Sequence, residues 1–248
     1  MPEFKAPPRS ASVSDLLEAA TGVFRMTLAK TLPAGMFASL LLALPNFYWQ
    51  TKGKPLDVLH PPVDARFWVL AAGGFAGYEF LAAALMVRQR ELLNGRAPNL
   101  KFDLAKSLAR WPVLVISAVL AWLLVFAGFV ALIAPGVFAA VCLLLLRPVV
   151  LFEGRDPWQS LSRCFALARP MWIKTLASAV IAWLIFVICV VAAGACLGIL
   201  DSVLTLTGVQ SGALSAFAAA CLLGVQAVAL VYFNALWLVL YSTANSSA

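Results

Sequence analysis

The segment WPVLVISAVLAWLLVFAGFVALIAPGVFAAVCLLLL, Trp111 to Leu146, contains 36 residues and no charged side chain. A single helix of that length would be about 54 Å long at about 1.5 Å per residue, whereas the hydrocarbon core of a bilayer is about 30 Å thick. The segment therefore predicts two membrane-spanning helices joined by a tight turn. Pro135 and Gly136 are typical turn residues, so we place the turn there.

The whole chain has the composition of a membrane protein. Its 248 residues are 63% hydrophobic and 12% charged, with a mean hydropathy of +0.94, whereas soluble domains have about 45–50% apolar and about 25% charged residues. We predict an all-α polytopic bundle that forms one integral membrane domain. Its six transmembrane helices are expected at residues 27–49, 67–88, 112–134, 136–152, 172–200 and 212–241.

Lysine and arginine are concentrated in the segments 88–110 and 153–174. Because short cytoplasmic loops carry an excess of these residues, both segments are predicted to be cytoplasmic, with the N-terminus and C-terminus on the same side. This predicts a multi-pass protein of the bacterial inner membrane. The proline-rich and acidic residues 1–11 lack the apolar core of a signal peptide and are expected to be disordered.

The sequence also contains an internal repeat. SAVLAWLL at 117–124 matches SAVIAWLI at 178–185, and a weaker third copy begins at Lys30. A short amphipathic pattern precedes each copy. We predict three units of a surface helix plus a transmembrane hairpin, at about 12–90, 100–152 and 156–242, with pseudo-threefold symmetry. Similar composition alone could also produce the match, and the surface helices could either contact lipid or pack against the bundle.

Two opposite charges lie inside predicted spans, Glu79 in the second and Arg147 in the fourth. A charge in a span costs about 2.5–3.5 kcal/mol on insertion scales, so each should face a partner or water. We expect the two to pair, or to share a polar cavity with Gln226 and Asn234. The pair either holds helices together or forms part of a site for an anionic ligand. Pro148 is expected to kink the fourth span.

Two small-residue motifs predict close helix packing. Gly73 and Gly77 form one GxxxG motif, and Gly194 and Gly198 form another. Such motifs let helix backbones approach closely in lipid, either within one chain or between two copies.

Residues 133–174, IAPGVFAAVCLLLLRPVVLFEGRDPWQSLSRCFALARPMWIK, resemble the YciC-like family of bacterial inner-membrane proteins. They are also similar to the related membrane domain found ahead of some glycerophosphodiester phosphodiesterases. The shared features are the Pro-Gly turn, the proline late in the following span, the Glu153-Gly154 pair directly after that span, and the amphipathic helix leading to Trp172. The resemblance implies a helical inner-membrane module.

Residues for catalysis or metal binding are not apparent in the sequence. His60 is the single histidine and has no clustered carboxylates, and the five cysteines show no CxxC spacing. We therefore predict a protein that is not an enzyme and needs no cofactor or metal.

The predicted function is a lipid-associated scaffold or envelope-maintenance module. The alternative is a transporter or channel for a small solute or lipid, with its polar site at Glu79 and Arg147. The net charge of +7 favours anionic headgroups, and nucleic acid is excluded because the chain has no soluble basic domain. A homo-oligomer or a membrane-protein partner stays open. The predicted lipid contacts are Arg110, Arg163, Arg169 and Lys174.

Overall fold

The computed structural model describes residues 6–52, 64–97, 99–206 and 212–246. These residues form helices and short connections, and no strand occurs among them. The helices confirm the predicted all-α class, and six segments are long and apolar enough to cross a membrane, the same number as the predicted spans. They are Val13–Trp49, Ala65–Leu93, Leu100–Ala131, Ile133–Glu153, Pro157–Leu200 and Phe217–Asn245. His60 lies outside the described residues.

The helices follow one another with short connections. In chain order they are α1 (Val13–Gln50), α2 (Ala65–Leu93), α3 (Leu100–Ala131), α4 (Ile133–Leu143), α5 (Leu146–Glu153), α6 (Pro157–Ala168), a 3-10 turn (Arg169–Met171), α7 (Trp172–Leu206) and α8 (Gly212–Asn245). The end of the bundle at which α2, α5 and α8 finish is called the basic end below.

The predicted surface helices are separate elements in only one of the three units. In α1 and α3 the amphipathic segment runs into the span without a break, because no helix-ending residue intervenes; Pro112 lies within α3. In the third unit, α6 is separated from α7 by the 3-10 turn. That unit has two more residues between its Leu-Ala-Arg and Ser-Ala-Val sequences than the second, and the turn accommodates them.

The connection between α3 and α4 lies three residues before its predicted place. Leu132 adopts an extended conformation, with φ −167° and ψ 153°, and ends α3. Pro135 and Gly136 instead lie in the first turn of α4. Proline is accepted there because the first amides of a helix have no helical acceptor. Gly136 packs so closely against Phe129 that a Cβ would lie 2.8 Å from the backbone nitrogen of Phe129.

The fourth span is interrupted, as its proline predicts. Helix α4 ends at Leu143 and α5 begins at Leu146. Pro148 has no N–H to donate to the carbonyl of Leu144, and the chain forms a turn at this point instead of a continuous helix. Arg147 lies in the first turn of α5, directly after this break.

One contiguous hydrophobic core draws on all eight helices. Its central members include Leu16, Met86, Leu114, Val149 and Leu240, each at most 1% exposed.

Helix α1 packs closely against α2 and α8. The close approach to α2 occurs at Gly74 and Gly77, both of which face Leu41, while Gly73 faces open space. The predicted Gly73 member of the GxxxG motif is therefore wrong, and the neighbouring glycine takes its role. No side chain of the described residues lies within 4 Å of a Cβ placed at Gly194 or Gly198.

Part of the N-terminal segment is bound to the bundle rather than disordered. The ammonium of Lys174 donates to the carbonyl of Arg9 at 2.8 Å and to that of Ala11 at 2.7 Å. The guanidinium of Arg9 donates to the carbonyl of Ala244. The prediction of disorder is thus wrong for residues 9–11, because long-range contacts with α7 and α8 hold them; residues 1–5 lie outside the described part.

At the other end of the bundle, Asp64 caps α2. Its carboxylate accepts hydrogen bonds from the Tyr48 hydroxyl at 2.7 Å and the Arg66 amide at 2.9 Å. These two bonds, in that order of importance, lower the pKa of Asp64 from its usual value, because both favour the charged carboxylate.

Candidate functional site: an intramembrane ion pair and its cavity

Glu79 and Arg147 form an ion pair between α2 and α5, called the central ion pair below. Arg147 Nη2 donates to Glu79 Oε1 at 2.7 Å, and Nε donates to Oε2 at 3.0 Å. Two parallel charge-assisted bonds of this kind strengthen the interaction and also fix the relative orientation of the two side chains. The side chains are 7% and 20% exposed, respectively, so both charges have left bulk solvent.

Asn234 of α8 completes the polar cluster. Its side-chain oxygen accepts from Arg147 Nη1 at 3.4 Å, while its side-chain nitrogen donates to the carbonyl of Ala82 at 3.0 Å. The ring of Tyr78 lies 5.3 Å from the guanidinium carbon of Arg147, within the range of a cation–π contact. The structure does not bring Gln226 into this cluster, because that residue is exposed.

The cluster therefore joins α2, α5 and α8 through side chains whose polar groups bond to one another. Its formal charges cancel. Removal of one charge would leave the other buried without a partner, which costs about 3–5 kcal/mol. The geometry is that of a structural connection between three helices, and it also presents hydrogen-bonding groups to the space beside it.

That space is a cavity of about 340 Å³, called the ion-pair cavity below. Glu79 and Arg147 supply its polar wall, and the rest of its lining is apolar. Trp237 is 9% exposed, whereas Trp122 on the α3 side is 68% exposed. The cavity thus extends from the buried ion pair to the outer surface of α3. Its other lining residues are Ala118, Ala121, Val125, Ala140, Leu143, Leu144 and Leu146.

A second, larger cavity of about 680 Å³ lies between α1, α7 and α8, and its lining is almost entirely apolar. Ala182 and Phe186 of α7 belong to it. When the repeated Ser-Ala-Val-x-Ala-Trp sequences and the residues after them are aligned, Ala182 corresponds to Ala121 and Phe186 corresponds to Val125, both of which line the ion-pair cavity. The two cavities therefore have two corresponding positions on α3 and α7, while their other lining residues on these helices differ, and only the ion-pair cavity contains charges.

Three of the four predicted lipid-contact residues bond within the protein. Arg110 donates to the carbonyl of Gly154 at 3.0 Å, and Arg163 Nε donates to Glu153 Oε2 at 3.1 Å. Lys174 holds the N-terminal segment. Sequence reasoning did not anticipate these contacts, because each partner lies well away along the chain.

Arg169 differs from those three residues. It is exposed and makes no hydrogen bond or ion pair within the ranges that the structure describes. It lines a groove of about 350 Å³ together with Phe138, Phe165 and Ala166. The two rings lie 6.1 Å apart between centroids. This groove places a free cation beside aromatic and apolar surface.

Glu153 has an organising role at the basic end that the sequence did not reveal. It accepts from Arg163, from Arg155 Nε at 2.7 Å and from the Tyr241 hydroxyl at 3.4 Å. The signal in the sequence was its position between an apolar span and a cluster of arginines. A second acid, Glu91, binds Arg96 at 2.8 Å on the same side of the bundle.

Within the described ranges, no three histidine, cysteine, aspartate or glutamate side chains come together as metal ligands would. The free thiols of Cys142 and Cys164 are buried. In comparisons with known proteins, no family model, no curated protein and no solved structure matches this chain.

Proposed function

We propose that this protein is a non-enzymatic, lipid-associated scaffold of the bacterial inner membrane that holds anionic phospholipid at its basic end. The observation that supports this is the free, exposed Arg169 at the Phe138 and Phe165 groove. A phospholipid has an anionic phosphate next to an apolar chain, and the groove offers a cation next to apolar rings. One basic residue near an anionic membrane surface contributes about 1 kcal/mol.

Other exposed side chains on this side support the same function. Trp158 at the start of α6 is 75% exposed, and Phe102 near the start of α3 is 45% exposed. Lys101 next to it is exposed and has no ion pair among the described residues. Aromatic residues beside basic ones are typical of the interface between lipid and water. In this proposal the basic end is cytoplasmic, and both termini are on that side.

Native mass spectrometry of the detergent-extracted protein tests the proposal. The protein is exposed to equal amounts of phosphatidylglycerol and phosphatidylcholine, and the retained lipid is counted. We expect preferential retention of phosphatidylglycerol and its reduction in Arg169→Gln. The matched control is Arg66→Gln, an exposed arginine at the other end of the bundle. Equal retention of both lipids, or an equal effect of both variants, would contradict the proposal.

A second candidate function is transport of a small solute or lipid past the central ion pair. The ion-pair cavity favours transport, because it provides space next to the largely buried charges of Glu79 and Arg147. Proteoliposome flux assays with Glu79→Gln and Arg147→Gln separate the two functions. Transport requires that flux be present in the wild type and fall in these variants, whereas the scaffold function requires lipid retention without flux.

We also propose that the chain arose from three repeated units and is related to YciC-like proteins. The shared Ser-Ala-Val-x-Ala-Trp sequence supports the repeat, as do the two corresponding positions of α3 and α7 that line cavities. A variant in which residues 117–124 and 178–185 exchange their sequences should fold, since the two blocks have similar side chains. Loss of folding in this exchange would argue against equivalent environments for the two blocks.

A further inference from the structure

The ion-pair cavity has the composition of a small-molecule site. Ligand sites are mostly apolar cavities of about 300–1,000 Å³ with a few polar groups at defined positions. Here the volume is about 340 Å³, and the central ion pair supplies the polar groups. The remaining wall is alanine, leucine, valine and tryptophan. A ligand that fits this division has a small polar head and an apolar tail.

The charges of the site determine the kind of head. Arg147 already has a carboxylate partner held by two bonds, so the site has no net formal charge. An anionic head would be repelled by Glu79, and a cationic head would be repelled by Arg147. Either head would also lose its own hydration. A hydroxyl group can donate to a Glu79 oxygen and accept from the guanidinium without adding charge. The pair therefore favours an uncharged, hydroxyl-bearing head.

The exposure of the two tryptophans indicates the route of entry. Trp237, at 9% exposed, lies at the closed side, and Trp122, at 68% exposed, lies on the outer surface of α3. That surface belongs to one of the six apolar segments, so in a membrane it faces lipid. A ligand can therefore enter sideways from the bilayer and leave its tail along α3.

We propose that the ion-pair cavity binds an uncharged single-chain lipid alcohol of the monoacylglycerol class, with its hydroxyl head at Glu79 and Arg147 and its tail leaving beside Trp122. This goes beyond the proposed function, which concerns anionic lipid at the basic end. The larger apolar cavity between α1, α7 and α8 lacks the charged pair. It serves as an internal comparison, because it should accept tails without selecting heads.

Quenching of tryptophan fluorescence by brominated lipids tests the proposal in phosphatidylcholine nanodiscs. A brominated monoacylglycerol should quench part of the fluorescence in a saturable way. That part should be reduced in Trp122→Phe, which leaves Trp237 as the other tryptophan of the cavity, and unchanged in Trp183→Phe. Trp183 occupies the place of Trp122 in the other repeat sequence and is 57% exposed, but it does not line the ion-pair cavity.

Head selection is tested with an ionised brominated fatty acid. The proposal requires that the fatty acid leave the Trp122 component unquenched at concentrations where the monoacylglycerol saturates it. Equal quenching by the fatty acid would refute selection of an uncharged head. Quenching that rises linearly with the amount of monoacylglycerol would refute a site altogether, because bulk lipid produces that behaviour.

A variant that fills the cavity gives an independent test. Ala118→Phe places a ring in the lining, and Ala127→Phe places the same ring on an exposed position of the same helix. We expect apparent affinity for the monoacylglycerol to fall about tenfold in Ala118→Phe, from the cost of overpacking, and to stay unchanged in Ala127→Phe. If Ala118→Phe does not fold, the tryptophan variants decide the question. Loss of anionic lipid retention without loss of saturable quenching would contradict the proposed function and leave this inference standing.

Discussion

Replacement of the two charges of the central ion pair, separately and together, should show whether the pair stabilises the bundle. Glu79→Met leaves Arg147, which is 20% exposed, with Asn234 as its remaining hydrogen-bond partner, and Arg147→Met leaves Glu79, at 7% exposure, without a donor among the described residues. Removal of one member of such a buried pair costs about 3–5 kcal/mol. Each single variant should therefore lose about that much free energy of unfolding.

The double variant Glu79→Met with Arg147→Met should be more stable than either single variant. It buries no charge, and its main defect is the side-chain oxygen of Asn234, which loses its donor. An unpaired buried acceptor costs about 1–3 kcal/mol. The measurement is unfolding by sodium dodecyl sulfate in mixed micelles, followed by far-ultraviolet circular dichroism. The control is Gln226→Leu, an exposed position that is also on α8. This surface substitution should leave the free energy of unfolding nearly unchanged, as is usual away from buried contacts.

A stricter variant reverses the charges, with Glu79→Arg and Arg147→Glu. This double variant should recover only part of the stability lost in the single variants. The oxygen of Asn234 would then face a carboxylate, and rotating the amide would break its bond to the carbonyl of Ala82. If the destabilisations in both double variants equal the sums of their singles, the two charges do not interact, and the reasoning from the pair is wrong.

Three further predictions concern backbone and capping positions, each measured as a free energy of unfolding. Gly154→Ala should cost more than Gly95→Ala. Both glycines have a positive φ, 68° at Gly154 and 73° at Gly95, which a residue with a Cβ adopts only with strain. Only at Gly154 does the added Cβ also meet a side chain, that of an arginine. Gly74→Ala should destabilise because its Cβ would meet the backbone of α1, whereas Gly73→Ala faces open space and should be stabilising through helix propensity. Asp64 has a lowered pKa; such a group stabilises the fold above its unfolded pKa of about 3.9 and stops doing so as the pH falls. Asp64→Asn should therefore destabilise at neutral pH and lose this effect in acid, and an equal effect at both pH values would contradict this reasoning.

Hydropathy and isolated charges predicted the fold class and the pairing of Glu79 with Arg147. Few ionisable residues lie within the apolar segments, and opposite charges there have a strong reason to meet. Asn234 lies beside them. Gln226 does not, because eight residues along a helix amount to about 80° beyond two full turns at about 100° per residue. Two side chains at that spacing face different neighbours.

The exact turn between α3 and α4 was not predictable from local residue preferences. Proline and glycine favour turns, yet proline is equally suited to the first turn of a helix. Here the connection lies at Leu132, the next helix begins at Ile133, and Pro135 and Gly136 lie in its first turn. The choice depends on the packing of Gly136 against Phe129, a contact that only the folded hairpin provides.

The partners of the basic residues could not be predicted from the sequence either, because these contacts too form only in the folded chain. The positive-inside rule counts lysines and arginines without regard to what each one contacts. Arg163 and Lys174 both lie in the predicted basic segment, but the first binds a carboxylate and the second binds backbone carbonyls. Arg169, five residues before Lys174, has neither kind of partner among the described residues. Only the tertiary structure separates a cation that is available to lipid from cations that hold the protein together.

This separation also weighs against a path for anions through the bundle. An anion at Arg147 would have to displace Glu79, which belongs to the same chain and already makes two bonds to the guanidinium. The displaced carboxylate would remain in the same low-dielectric surroundings and repel the incoming anion. Arg169 is exposed and has no carboxylate partner among the described residues, so an anion there would displace none of their carboxylates. Anionic lipid is therefore expected at the basic end, and uncharged ligands are expected at the central ion pair.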